Sequence, residues 1–150
     1  MRIRPASVED VESIANVIAP FVNEVICAEE GRERFKPHIL KQIFVRPEMQ
    51  YFVAEINGEV VGNLAYVSPS HVMHYFLKPE YHKQGYGRKM WDFLEAEILK
   101  NDPEIITVNS SLYALDIYKK YGFEVVGELT QKWGIHFIPM EKRLKLKCLK

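Results

Sequence analysis

At 150 residues, 47% of them apolar and 27% charged, the chain is long enough to bury a full core and is expected to form one domain. Its 20 basic side chains balance 20 acidic ones, which removes the electrostatic case for a nucleic-acid or membrane partner. No apolar run approaches the ~20 residues of a membrane span. Met1-Arg2-Ile3-Arg4 leads into no signal-peptide core, and Cys27 and Cys148 form no C-x-x-C, so a reduced, cytoplasmic protein is expected.

In chain order, Arg2-Ile3-Arg4-Pro5 reads as a short strand ended by proline. Ser7 caps a helix, with Asp10 completing a variant capping box. Val11, Ile14, Ala15, Ile18, Val22 and Val25 keep the helical period, and Pro20 predicts a kink or break within it. Glu29 to Arg34 is a polar loop, and Pro37 suits the first turn of another helix bearing Ile39, Leu40, Ile43 and Phe44. Tyr51 to Ile56 and Glu59 to Val67 form a hairpin on Asn57-Gly58, and His71 to Leu77 is the fourth strand. Met90, Trp91, Leu94 and Ile98 mark a helix that ends at Asn101-Asp102-Pro103. Ile105 to Val108 is a β-branched strand. A helix from about Leu112 to Tyr121 is expected to bury Ala114, Ile117, Tyr118 and Tyr121, with Gly122 as its cap. Glu124 to Lys132 and Ile135 to Leu146 read as two long closing strands. Leu144 to Cys148 alternates, as a guarded sheet edge does. The order β-α-α-β-β-β-α-β-α-β-β predicts an α/β fold, a mixed central sheet of about seven strands flanked by helices with a parallel crossover at the long helix.

The chemistry concentrates where the fourth strand meets that helix. Pro79 stops the strand, polar residues follow, and Gly85-Tyr86-Gly87 opens the helix. Such glycines permit a tight turn and leave the first helical amides open to a phosphate-bearing ligand. Met90 stands where a dinucleotide fingerprint needs its third glycine, and no G-x-x-x-x-G-K-[ST] is present.

The segment His82-Lys83-Gln84-Gly85-Tyr86-Gly87 resembles the coenzyme-A pyrophosphate loop of the GCN5-related N-acetyltransferase (GNAT) superfamily, [Q/R]-x-x-G-x-[G/A] after a strand and a proline. It departs at His82, which replaces Gln or Arg, and at Lys83, in a place often held by glycine. Ala114, Ile117, Tyr118, Gly122 and Phe123 match the family's second pattern, A-x-x-[L/I]-Y-x-x-x-G-F. The lead-in Val108 to Ser111 and the ending Phe137-Ile138-Pro139-Met140 are similar to a bacterial subgroup of mostly unassigned substrate. The resemblance implies an acetyl-CoA-dependent N-acetyltransferase that needs no metal and transfers an acetyl group to an amine by direct attack in a ternary complex. Strands 4 and 5 would splay around the coenzyme. Tyr75 and Leu77 would offer backbone to its pantetheine arm. Its pyrophosphate would rest on amides from Lys83 through Gln84, Gly85, Tyr86 and Gly87 to Arg88, with His82, Lys83 and Arg88 near the phosphates and Asn109 on the pantetheine or acceptor.

Within that reading Tyr118 is the acid for the departing thiolate, and His71 the first choice of base. By strand alternation His71 and His74 should lie on opposite faces. His74, a water chain, or Glu24, Glu29 and Glu30 beside the acceptor are the alternatives for proton transfer. Cys27, in an apolar helical stretch, reads as a core residue rather than a nucleophile. A non-enzymatic acyl-CoA-binding module on the same fold is the rival reading, and the final strands could supply a homodimer edge. The acceptor amine is not specified by composition.

Overall fold

The computed structural model describes residues 1–144. The last two predicted residues of the closing strand, and the alternating tract beyond Leu144, lie outside them. One eight-stranded sheet organises the molecule. It is built from β1 (Arg2–Pro5), β2 (Met49–Ile56), β3 (Glu59–Val67), β4 (His71–Leu77), β5 (Ile105–Ser110), β6 (Glu124–Val125), β7 (Thr130–Lys132) and β8 (Ile135–Arg143). The path is β1-β2-β3-β4-β5-β8-β6, with β7 also on β8, and every pairing is antiparallel except β4 with β5. The mixed α/β architecture expected from the sequence is therefore the one observed, with one strand more.

Four short helices, α1 (Val11–Ile18), α2 (Val22–Val25), α3 (Glu29–Glu33) and α4 (Pro37–Leu40), belong to one face. There Val11, Ile14, Ile18 and Leu40 pack on Met49, Tyr51, Val53 and Ala65. The other face carries α5 (Tyr86–Leu99) and α6 (Leu115–Lys120), with Met90, Trp91, Leu94, Ile98 and Tyr118 over Leu64, Val72 and Ile106. Pro20 acts as its ring chemistry requires: α1 yields to a 3-10 turn, Ala19–Phe21, before α2 begins. The Ser7–Asp10 capping box forms, and the Asp10 carboxylate also takes two hydrogen bonds from Arg4.

Several expectations are corrected, among them the polar loop at Glu29 to Arg34, which is mostly the helix α3. The Leu112–Tyr121 helix starts late, at Leu115, because Ser111 Oγ accepts the Ala114 N–H at 3.1 Å and holds the preceding turn; Ile117 is then left exposed. The first closing strand is broken into β6 and β7, and Gly127 between them lies so close to Pro139 of β8 that no side chain would fit there. Cys27 is exposed.

The β7–β8 turn is formed by Trp133 (φ 57°) and Gly134 (φ 78°), both left-handed, as a two-residue hairpin demands. Its tip docks on α3. Cys27 N–H and Ala28 N–H donate to the Gly134 carbonyl at 2.8 and 3.2 Å, and Gly31 lies directly against Gly134.

Where β4 leaves β5, its register changes. Val72 opposes Tyr66 and His74 opposes Ala65, so Met73 is a bulge. The inserted residue reverses the alternation, and His71 and His74 share the α1–α4 face, opposite Val67 and Ala65. The expectation of opposite faces fails for this reason. His74 is held from within: Asn63 Nδ2 donates to Tyr51 Oη at 2.9 Å, and Tyr51, left with its single proton to give, donates to His74 Nδ1 at 2.7 Å. Burial first, and the nearby Arg34 charge second, lower the His74 pKa to about 4.

Two outcomes test this packing. A methyl at Gly31 would overlap backbone rather than a flexible side chain, so Gly31→Ala should cost about 1–3 kcal/mol. At roughly 2–4 °C per kcal/mol, thermal melting should resolve the loss. His74 is neutral when folded but binds a proton near its ordinary ~6.5 when unfolded, so stability should fall as pH drops from ~6.5 to about 4. The loss should reach about 3 kcal/mol, and urea titrations of His74→Gln over the same window should lack that component.

Candidate active site

β4 and β5 pair only through His71–Thr107 and Val72–Val108, with Thr107 N–H reaching the Ser70 carbonyl at 3.0 Å. Beyond the Met73 bulge the strands part. Lys78 N–H donates to the Val61 carbonyl at 2.9 Å, which makes alternate positions the bonded ones toward β3. Tyr75 and Leu77 therefore turn their N–H and C=O groups away from β3, into the gap. A cleft of about 570 Å³ occupies this region, lined from one sheet face by His71, His74 and Phe76 and from the other by Val108, Ala114 and Tyr118.

At the far end of β4 the chain passes through a 3-10 turn, Pro79–Tyr81, into the glycine turn. Lys83 has φ 62° and Gly85 φ 88°. The left-handed backbone at Lys83 costs a non-glycine residue of order 1–2 kcal/mol, which is the physical reason glycine suits that position. Gln84 Nε2 donates to the Glu80 carbonyl at 2.9 Å and closes the turn. Gly85 precedes α5 with no side chain capping the first amides, and a Cβ built there would meet nothing within 4 Å. At Gly87 a Cβ would make only ordinary contacts, 3.5 Å from Tyr75 Oη and 3.8 Å from Tyr121 Oη. The fold itself thus leaves open space over Gly85, while Gly87 lies against the two tyrosine hydroxyls.

Aromatic side chains brace the start of α5. Tyr75 Oη donates to the Gly87 carbonyl, so at the 2.8 Å Tyr75–Tyr121 contact it is Tyr121 that donates. Tyr121 stacks on Trp91 at 5.0 Å and carries the Arg88 guanidinium over its ring at 5.3 Å. Arg88 also pairs with Asp92 at 3.2 Å, and Lys83 is exposed. His82 is half-buried: its Nε2 donates to the Leu77 carbonyl at 2.7 Å, and its ring stacks on Phe21 at 5.9 Å.

Tyr118 is buried on the α5 side, packed on Phe123 and Tyr75, with ring centroids 5.4 and 6.0 Å away. Its hydroxyl makes no hydrogen bond among the described residues, although the residue lines the cleft. Burial, then the neighbouring Tyr121, raises its pKa, so the phenol keeps its proton at neutral pH. His71 Nδ1 lies 2.7 Å from Thr107 Oγ1, and burial lowers its pKa below the ordinary histidine value. Asn109 is exposed at the end of β5 and lines the same cleft.

Glu24, Glu29 and Glu30 do not line the cleft; all three are exposed, and Glu29 pairs with Arg32 at 2.9 Å. Sequence reasoning missed Arg34, Phe35 and Trp133, which do line it. The available signal was Trp133 itself, a bulky residue in a turn position that ordinarily favours Asn, Asp or Gly.

With this geometry in hand, comparison with known proteins is decisive for the family. The model of the acetyltransferase (GNAT) domain matches residues 17–144. No curated protein matches the sequence significantly. The structure is similar to a GCN5-related N-acetyltransferase from Rhodopseudomonas palustris, with a TM-score of 0.80 at 20% identity over 95% of both chains. It is also similar to the PaiA N-acetyltransferase of Thermoplasma acidophilum in complex with coenzyme A (TM-score 0.75, 20% identity, 95% of this chain and 98% of that one). A third likeness is to a ribosomal-protein-alanine N-acetyltransferase of Brucella melitensis (0.70, 20% identity, 96% and 100%). At such identities the structures speak for the fold, while the domain match covers most of the chain: the protein belongs to the GNAT family of acetyltransferases.

Proposed function

We propose that the protein transfers the acetyl group of acetyl-CoA to an amine nitrogen. The observation that carries this reading is the open gap between β4 and β5, bounded by a glycine turn at one end and lined within by Tyr118, whose hydroxyl makes no hydrogen bond among the described residues. A coenzyme-A thioester fits the residues present. Space is free above Gly85, uncapped α5 amides can meet a pyrophosphate, and Tyr75 and Leu77 turn backbone groups toward an extended arm. The Thermoplasma relative bound to coenzyme A supports the same choice.

In this reading the amides from Lys83 to Arg88 hold the diphosphate, with Lys83 and Arg88 adding charge outside them. His82 does not touch phosphate; it fixes the Leu77 carbonyl and leaves the Leu77 N–H as the donor toward the thioester oxygen. The thioester supplies an activated acyl carbon. The acceptor nitrogen forms the C–N bond as the C–S bond breaks, the nitrogen's proton leaves to a base, and the sulfur receives one from Tyr118. His71, neutral at pH 7 and oriented by Thr107, is the base; His74, pinned by Tyr51 and held neutral down to about 4, positions the wall rather than accepting the proton. Asn109 borders the pantetheine–acceptor junction.

Two measurements test the assignment. Acetyl-CoA at ~100 times its dissociation constant should stabilise the protein by about 2.7 kcal/mol in thermal melting. Gly87→Ala should leave the unliganded melting temperature unchanged or raised, because the site is helical and roomy, yet reduce that shift; an unmoved curve in the wild type would reject the coenzyme site. Tyr118→Phe keeps the ring packing and removes one proton donor, so kcat should fall about 10²–10⁴-fold with the coenzyme KM little changed. A folded Phe variant with full turnover would assign Tyr118 to packing alone, and a wild type that binds the coenzyme without any turnover would favour a binding module.

A further inference from the structure

The acceptor side of the cleft has a chemistry of its own. Its walls are apolar and aromatic, with Phe35, Ile39, Ile43 and Phe76 among them, and among the described residues no aspartate or glutamate lines it. The ionic side chains that do are Arg34 and Arg46, and Arg46 is already paired with Glu48 at 2.9 Å. Among the described residues Arg34 and Arg2 have no carboxylate ion pair, whereas Arg4, Arg32, Arg46, Arg88 and Arg143 each have one; of the two, only Arg34 lines the cleft. The acidic residues nearest in sequence are committed elsewhere: Glu33 holds Lys36 and His38, and Glu29 holds Arg32.

The position of Arg34 is also constructed. Its guanidinium carbon sits 5.4 Å from the centre of the Trp133 ring, an arrangement that orients the planar cation. Trp133 reaches that place only by adopting a left-handed backbone, and the glycine-to-glycine docking of its hairpin on α3 fixes both partners. Desolvation lowers the Arg34 pKa even though the residue is exposed at the rim, and its charge is felt by His74. A guanidinium oriented on an aromatic face, with no carboxylate partner among the described residues, is set to take a carboxylate from outside the chain.

We propose that the acceptor is an amine that also carries a carboxylate beside an apolar body, of which an apolar or aromatic amino acid is the simplest form, and that Arg34 is its specificity-determining residue. Polyamines and aminoglycosides, which bring several positive charges, meet repulsion at Arg34 and no compensating carboxylate. The inference rests on the acetyltransferase reading above and narrows it.

The test compares acetyl transfer to phenylalanine and leucine with transfer to phenethylamine and isopentylamine, their decarboxylated counterparts, and to spermidine and an aminoglycoside. Wild type should prefer the acids by roughly 10–100-fold in kcat/KM, the range of a charge-assisted hydrogen-bonded pair. In Arg34→Met the ratio of acid to decarboxylated amine should collapse toward about 1, while the melting shift with acetyl-CoA is retained. Equal or faster transfer to the decarboxylated amines or to spermidine would overturn the carboxylate proposal and leave the acetyltransferase reading standing. Absence of both transfer and a coenzyme shift would overturn that reading instead. A binding arm covers the case of slow turnover: with coenzyme A present, N-acetylphenylalanine should raise the melting temperature of wild type, and N-phenethylacetamide at the same concentration should do so less. Equal shifts from the two would also reject the proposal.

Discussion

The site depends on one extra residue in a strand. Met73 is inserted in β4 opposite an unbroken β3, and a bulge of this kind bends its strand and increases its twist. On the His71–Val72 side of the bulge β4 stays bonded to β5; on the other side it does not. A parallel pair that stops partway leaves strand N–H and C=O groups unpaired inside the protein, and such groups need partners. A thioester arm lying along β4 would supply them. The same insertion rotates His71 onto the face of His74, so the step that opens the gap also chooses which side chains border it.

A second constraint operates at the opposite rim. The β7–β8 hairpin is seated on α3 by contact between Gly31 and Gly134, too close for any side chain on either, and two amides just ahead of α3 close on the Gly134 carbonyl. This contact spans a hundred residues of sequence, and it brings Arg34 under Trp133. The left-handed conformation at Trp133 carries a cost that the docked hairpin overrides. One wall of the cleft is thereby made of elements from the first quarter and the last eighth of the chain.

Between these two, the start of α5 is held by aromatic residues drawn from β4, α5 and the end of α6. Half-buried Tyr75 and Tyr121 bond to each other, Tyr121 stacks on the buried Trp91, and Tyr75 donates its hydroxyl proton to the Gly87 carbonyl. That bond aims the helix N-terminus without blocking its amides. Rigidity at the turn therefore comes from behind it, and its outer surface is left to a ligand.

Much of the framework was legible in the residues. The capping box at Ser7, the break at Pro20, the Asn57-Gly58 hairpin and the helix carrying Trp91 each depend on interactions a few residues apart, and each appears where local chemistry put it. The mixed sheet and the family also followed from short-range patterns, because the glycine turn and the Ala114–Phe123 segment are contiguous in sequence. Features that depend on register or on distant contact were not legible in this way. Alternation placed His71 and His74 on opposite faces, and a bulge, which leaves no mark in composition, put them together. Tyr51 and Asn63 as the partners of His74, His82 as a clamp on Leu77, and Arg34 beneath Trp133 are pairings between separate elements. Local propensity cannot report them, because each exists only after two elements have packed and the backbone of both has been fixed.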